Sequence, residues 1–343
     1  MDLASAYRGR RVFLTGHTGF KGSWLAFWLH HLGADVMGYA LPPSTRPSLW
    51  QALGLEADVP GTLADVRDLV RLSREIRSFR PDQVFHLAAQ ALVLPSFEDP
   101  AGTFGTNLMG TVNVLEACRN CESVRSAIIV TTDKCYRNAG SGTPFREGDP
   151  LGGADPYSAS KACAEIAVEA YRYSYWGKDR GLATVRAGNV VGGGDWSPHR
   201  LIPDLVRAKQ AGHPIILRHP ESRRPWQHVL DPLRGYLMLG AQLNRHPEAF
   251  SSAWNFGPAE MDALRVQDLV TMAGANWELD PAPRPPEAVQ LSLDSGKARE
   301  HLGWVPRWSL QTAAARTVAW YEGFAQGESA SALCRADMEA HLP

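Results

Sequence analysis

Tyr157 and Lys161 stand four residues apart in Pro156-Tyr157-Ser158-Ala159-Ser160-Lys161. On a helix that spacing puts a phenol and an ammonium on one face, one turn apart. Asp155 is suited to cap the helix with Pro156 at its first position, so the pair falls in the first turn. A phenol of ordinary pKa, about 10, is a poor base at neutral pH. A neighbouring ammonium favours the phenolate and brings it toward general-base range. Upstream, the apolar run Ala127–Thr132 ends in Thr131-Thr132-Asp133-Lys134. Thr132 is placed to hydrogen-bond a hydroxyl beside Tyr157. Asp133 and Lys134 offer an adjacent acid and amine, or alternatively a solvated charge pair in a loop.

A third cluster lies near the start of the chain, in Gly16-His17-Thr18-Gly19-Phe20-Lys21-Gly22. Glycines recur every third position where a first strand must turn into a first helix. Such a turn brings backbone amides close to a pyrophosphate, and the helix N-terminus adds favourable partial charge. The expected ligand is a nicotinamide dinucleotide, whose cation would also favour the Tyr157 phenolate. The end of the second strand, Gly38-Tyr39-Ala40-Leu41, offers no acid for the adenosine ribose, so these residues leave NAD and NADP both open. Arg46 is near enough in sequence to meet a 2′-phosphate. Asp65 and Val66, after the third strand, are placed to meet the adenine; Asp65 could equally begin a helix.

These groups need a scaffold that brings strand ends together. Arg11–Thr15, Ala34–Ala40, Val84–Ala88, Ala127–Thr132 and Ala183–Arg186 read as buried strands. They alternate with helical stretches at Phe20–Leu32, Thr103–Cys118 and Tyr157–Tyr175. That alternation predicts an α/β fold: a Rossmann-like, doubly wound parallel sheet with a smaller C-terminal substrate-binding lobe. Residues 1–190 are expected to form the dinucleotide-binding domain, with sheet contributions from about 225–260, including Val229. From about Gly192, shorter elements rich in Gly, Pro and Trp suggest that 191–343 is mainly the second lobe, with an interleaved boundary.

At 343 residues, one domain plus a smaller partner is the natural prior, and 44% hydrophobic residues suffice for an ordinary core. The 35 basic and 36 acidic side chains nearly cancel, which argues against nucleic-acid binding or a basic membrane surface. No apolar run is long enough to span a bilayer. The pair Cys118 and Cys121 lacks a second pair or a histidine cluster at zinc spacing, so no metal is expected. An odd count of five cysteines behind a polar N-terminus fits a reducing cytoplasm.

Longer motifs carry a resemblance. The glycine turn, Thr132-Asp133-Lys134-Cys135-Tyr136, Asp155-Pro156-Tyr157-Ser158, Arg186-Ala187-Gly188-Asn189 running to Asp195-Trp196, and Arg224-Pro225-Trp226-Gln227-His228-Val229-Leu230 resemble the CDP-glucose 4,6-dehydratases, members of the extended short-chain dehydrogenases. The likeness runs from about Arg11 to about Tyr321 and includes Trp254-Asn255-Phe256-Gly257-Pro258 and Leu302-Gly303-Trp304. It implies an internal redox cycle on a nucleotide sugar. Tyr157, assisted by Lys161 and Thr132, would take the C4 hydroxyl proton as hydride passes to NAD⁺. Water would leave across C5 and C6, and hydride would return to C6. Asp133 resembles the acid that protonates the departing hydroxyl. Lys134 stands where dTDP-glucose dehydratases carry a glutamate base, and would need a depressed pKa to serve. Ala88, Ala89, Gln90 and Asn107 resemble residues lining the cofactor cleft. Asn189, Arg224 and His228 resemble substrate-binding positions, Asn189 and Arg224 at the diphosphate, and Arg200, Leu201 and Ile202 the segment around the base.

Two positions depart from the family pattern: Leu94 stands where arginine is usual, and Pro286 where histidine is. Both segments are expected near the sugar diphosphate. The rival readings are a dehydratase on another nucleotide sugar, a nucleotide-sugar 4-epimerase, and a non-catalytic NAD(P)-sensing protein. An epimerase has no need of an acid/base pair at C5 and C6, and a sensor has no need of Tyr157 with Lys161. The resemblance also implies a homodimer or homotetramer pairing Thr103–Cys118 and Tyr157–Tyr175 across a two-fold axis.

Overall fold

The computed structural model describes residues 1–140, 142–198, 200–258, 263–280 and 291–342, without the side chains of 223, 224, 263 and 264. Its centre is a seven-stranded, all-parallel sheet made of β1 (Arg11–Thr15), β2 (Asp35–Ala40), β3 (Gly61–Leu63), β4 (Gln83–His86), β5 (Ser126–Val130), β6 (Gly181–Ala187) and β10 (Ala253–Phe256). Across the sheet the order is β3-β2-β1-β4-β5-β6, with Ala253–Phe256 outermost beside β6. This is the doubly wound, Rossmann-like arrangement, and the chain reverses direction between β1 and β4.

Strand residues alternate between two cores. Val12 and Leu14 join the apolar cluster under the helices Phe20–His31 and Leu230–Arg245. Phe13 joins the opposite cluster, under Leu69–Phe79, Gly110–Arg119 and Pro156–Tyr175. Continuously buried runs such as Ser126–Val130 are what a sheet covered on both faces requires.

The expected helix over Thr103–Cys118 has an internal irregularity. Pro100–Phe104 and Gly110–Arg119 flank one wider π-helical turn at Gly105–Met109, which carries Asn107. Val229 differs from expectation. The strand β9 (Arg223–His228) pairs with β7 (Asn189–Val191) and β11 (Ala263–Arg265) in a separate three-stranded sheet, and Val229 turns directly into the Leu230–Arg245 helix. Ala253–Phe256, an apolar, mostly buried run, takes the place beside β6 in the large sheet. A two-stranded parallel sheet of β8 (Ile215–Leu217) and β12 (Trp277–Leu279) completes this part of the chain. Trp196, Trp320, Tyr321 and Phe324 pack together. Among the described residues no helix is long and apolar enough to cross a membrane. All five cysteines are free thiols.

His86, 1% exposed at the end of β4, is held as a neutral ring. Thr111 gives its hydroxyl proton to the Asn107 carbonyl, so it accepts from His86 Nε2 at 3.1 Å, and His86 Nδ1 accepts from Thr15 Oγ1 at 2.7 Å. Burial pushes this histidine down to about 3, and buried His17 down to about 4. Both folded values lie below the ordinary 6.5, so their contribution to stability is present above that pH and lost as pH falls toward the folded values. Buried Asp337, raised to about 7 by burial, contributes in the opposite sense. The melting temperature is therefore expected to fall as pH is lowered from about 6.5 toward 4. A scan of Tm against pH that stays flat or rises over that interval would contradict this picture.

Candidate active site

The switch point between β1 and β4 is where the glycine turn lies. Gly16 sits at φ +77°, and a Cβ there would come 2.6 Å from Ala88 N. A Cβ on Gly22 would meet the Gly16 carbonyl oxygen at 2.0 Å. Gly19 caps the Phe20–His31 helix without a side-chain hydrogen bond, which leaves the first amides of a twelve-residue helix for an anion. Thr18 ties the turn to β2 by donating to the Leu41 carbonyl at 2.8 Å. Thr15 Oγ1 accepts from Ala88 N at 3.2 Å, which holds Ala88 and Ala89 against the turn. These residues fit a dinucleotide pyrophosphate.

Around that turn the other expected residues take more particular roles. Asn107, fully buried, donates to the Gln90 carbonyl at 3.0 Å and to Ser160 Oγ at 2.9 Å, and accepts from Gln90 N at 2.9 Å. It thereby fixes the Ala88–Gln90 segment against the Tyr157 helix, acting on the cleft through backbone. The Asp65 carboxylate accepts from Arg67 N at 2.8 Å and pairs with its guanidinium, which holds it below the usual carboxylate range. Val66 is buried against Gly110. His17, which sequence reasoning passed over, lies on Gly38 and Gly61, where any Cβ would strike its ring at 2.5 and 2.8 Å. Its ring thus sits beside the strand ends where a ribose-binding acid was sought.

Tyr157 is 8% exposed in the first turn of the Pro156–Tyr175 helix. Asp155 caps that helix by accepting from Ser158 N at 2.9 Å, with Pro156 at its first position. Burial pushes the phenol up to about 12, and Asp133 adds to this, while the Thr132 hydroxyl and Arg200 oppose it. Lys161 donates to the Val130 carbonyl at 3.0 Å, and burial pushes it down to about 8. Thr132 donates to Asp133 Oδ1 at 3.1 Å and accepts from Lys134 N at 3.3 Å, which holds the acid and the half-buried lysine in one short 3₁₀ turn. Gly188 passes so close that a Cβ would be 3.0 Å from Asp133 Oδ2, which brings neighbouring Asn189 alongside.

Lys21 also belongs to this group. Its ammonium lies 5.7 Å from the Tyr236 ring, and burial, then Arg200 and Lys161, push it down to about 7 against the pull of Asp133. Phe20 packs toward Gly192. Tyr236, fully buried on the Leu230–Arg245 helix, has its phenol pushed up by burial and further by Tyr157 and Asp133. It was missed because it sits in an apolar helical stretch where a tyrosine reads as core. Arg200 pairs with Asp195 at 3.2 Å just before Leu201 and Ile202 open the next helix, with Ile202 turned into the core.

His228 lies deep in the interior. Its ring is fully buried against Trp24 and Trp308, with Nε2 3.9 Å from Asp337 Oδ2, and burial holds it neutral. It lies against the C-terminal helix Ala330–His341, which carries Asp337. The Arg224 side chain and Pro286 lie outside the described residues. Leu94 is half-buried in the short helix Val93–Glu98. Arg46 is exposed and lines a cavity of about 320 Å³ with Trp196, Arg207 and Tyr321.

The family model described as GDP-mannose 4,6 dehydratase matches residues 13–317. A CDP-glucose 4,6-dehydratase of Salmonella typhimurium is 46% identical over 334 residues, covering 94% of this chain and 93% of that protein. A UDP-glucose 4-epimerase of Thermus thermophilus, solved with NAD, superposes with a TM-score of 0.79 at 29% identity, covering 91% of this chain and 99% of that one. A dTDP-glucose 4,6-dehydratase of Streptomyces venezuelae, also solved with NAD, gives 0.80 at 27%, covering 91% and 97%. With the glycine turn, the buried Tyr157 and Lys161 and the Asp133-Lys134 turn gathered at one switch point, the chain belongs to the GDP-mannose 4,6 dehydratase family.

Proposed function

We propose that this protein is an NAD-dependent CDP-glucose 4,6-dehydratase, a hydro-lyase that converts CDP-glucose to CDP-4-keto-6-deoxyglucose. The observation that carries the reading is the Asp133-Lys134 pair held by Thr132 beside Tyr157, in a chain 46% identical over nearly its full length to a CDP-glucose 4,6-dehydratase. When bound, NAD supplies the reversible redox step that oxidises C4 and later reduces C6. Tyr157 takes the C4 hydroxyl proton, helped by the Lys161 charge and the Thr132 hydroxyl. The C4 ketone acidifies the C5 proton, which Lys134 removes while Asp133 protonates the C6 hydroxyl that leaves as water. Lys134 then returns a proton to C5.

Gly16, Thr18, Gly19, Phe20, Lys21 and Gly22 cradle the cofactor phosphates in this reading, with Asp65 and Val66 toward the adenine. Ala88, Ala89 and Gln90 line the same cleft, with Asn107 holding Gln90 from within. Asn189, Arg200 and Arg224 serve the substrate diphosphate and base, with a boundary near residue 190 between the cofactor-binding and substrate-binding parts. Exposed Met109, Ile166 and Tyr173 on the two helices beside the site support a homo-oligomer. Five free cysteines fit a reducing, cytoplasmic location.

The test is incubation with CDP-, dTDP-, UDP- and GDP-glucose, each followed by mass analysis. Loss of one water from CDP-glucose ahead of the others supports the reading; epimerisation without loss of water overturns it. Asp133→Asn is expected to slow water loss about 10²-fold while C4 oxidation persists, so reduced nicotinamide accumulates in its absorbance. An unchanged dehydration rate in that variant removes Asp133 from the reaction.

A further inference from the structure

One turn beyond Lys161, the same helix buries a carboxylate that the proposed reaction leaves unused. Glu165 is 4% exposed. Its Oε1 accepts from the Thr131 hydroxyl at 2.5 Å and from Arg186 Nε at 3.0 Å. Its Oε2 accepts from the Thr184 hydroxyl and from Arg186 Nη2, both at 2.7 Å. Four donors from β6 and the end of β5 thus hold it ionised, below the usual carboxylate range despite its burial. Arg186 reaches away from it, donating to the Tyr136 hydroxyl at 2.6 Å and to the Glu147 carbonyl at 3.1 Å.

A buried ion pair adds little net stability over well-packed apolar side chains, because desolvation offsets its attraction. Its position one turn from Lys161 suggests another use. The Lys161 ammonium has three donors, and among the described residues its one hydrogen-bond acceptor is the Val130 carbonyl. Burial drives it toward the neutral amine, and of the ion pair it is the carboxylate that acts on it in the opposite sense. We propose that Glu165 is a positioning residue that keeps Lys161 protonated across neutral pH and so sets the pH window in which Tyr157 serves as base. The proposal rests on the reading of Tyr157 and Lys161 given above.

Other charged and titratable groups face this pair. Lys161 is met by Lys21 from the first helix, His86 from β4 and Cys135 from the 3₁₀ turn, besides Tyr157. Glu165 is met by Arg186, Arg172 and Cys135. Of the groups meeting Lys161, a protonated Lys21 repels its charge, while the His86 ring and the Cys135 thiol are held neutral by burial near pH 7. Glu165 is then the fixed negative charge beside it.

The test compares pH profiles of kcat/KM for wild type, Glu165→Asp, the double variant Glu165→Gln/Arg186→Met, and Lys161→Met. The double variant replaces both charges together, so no unpaired arginine remains in the core and folding can be checked by Tm. With Glu165 neutral, Lys161 loses its proton at lower pH, and Tyr157 then needs higher pH to ionise. The alkaline limb is expected to move down and the acid limb up, each by about one pH unit, with about tenfold lower kcat/KM near pH 7. Glu165→Asp, which keeps the charge, retains the wild-type limbs. A double variant that is folded and slower by one factor at every pH, with both limbs unmoved, overturns the proposal. Full activity in Lys161→Met instead overturns the underlying reading of the Tyr157–Lys161 pair.

Discussion

Tyr157→Phe is expected to lower turnover of CDP-glucose by about 10³-fold or more while leaving NAD affinity within about twofold of wild type. The phenol is buried at 8% exposure, and the neighbouring hydroxyl on that helix face, Ser158, is given to the Asp155 carboxylate. Phenylalanine keeps the ring and its packing, so the variant removes one oxygen and little else. General-base catalysis supplies roughly 10²–10⁴-fold, and here the same oxygen also orients the C4 hydroxyl. The check is steady-state turnover alongside a binding titration with NAD. Near-wild-type turnover would remove Tyr157 from the role of base; loss of both activities together would mean that the hydroxyl supports the cofactor cleft instead.

Gly22→Ala is expected to abolish cofactor binding at ordinary concentrations and to lower Tm. The added Cβ would lie 2.0 Å from the Gly16 carbonyl oxygen and 2.7 Å from the Gly16 carbonyl carbon. Both are backbone atoms, so no side chain can swing aside. The turn must open, which misaligns the amides before the Phe20–His31 helix and presses on the Ala88 segment that Gly16 already crowds. Overpacking typically costs about 1–3 kcal/mol, and backbone with no route to relax falls at the upper end. Titration with NAD and a melting curve check it. An alanine variant that binds NAD as wild type would show that the turn is looser than its geometry indicates.

Much of this architecture is legible in the residues themselves. The glycine spacing demanded a strand–turn–helix, and Phe20–His31 begins where it must. Asp155-Pro156 announced the helix that carries Tyr157 and Lys161. Less legible were features that depend on tertiary pairing. The π turn at Gly105–Met109 has no composition of its own; it follows from Asn107 reaching both Gln90 and Ser160. Val229 read as a buried strand because an apolar residue after Arg224-Pro225-Trp226 fits that pattern, yet the large sheet takes Ala253–Phe256 instead. His228 looked like a ligand because it sits in a motif with Arg224, and only the path of the C-terminal helix shows Asp337 beside it. Glu165, Arg186 and Tyr236 carry chemistry-bearing side chains in segments whose periodicity reads simply as core.

The most direct test of the dehydratase cycle uses CDP-glucose bearing deuterium at C4, turned over by the intact protein with NAD. The account predicts a product that has lost one water and carries the deuterium at C6, with no build-up of reduced nicotinamide. Deuterium found back at C4 of an epimer, or lost to solvent with water still eliminated, would contradict it.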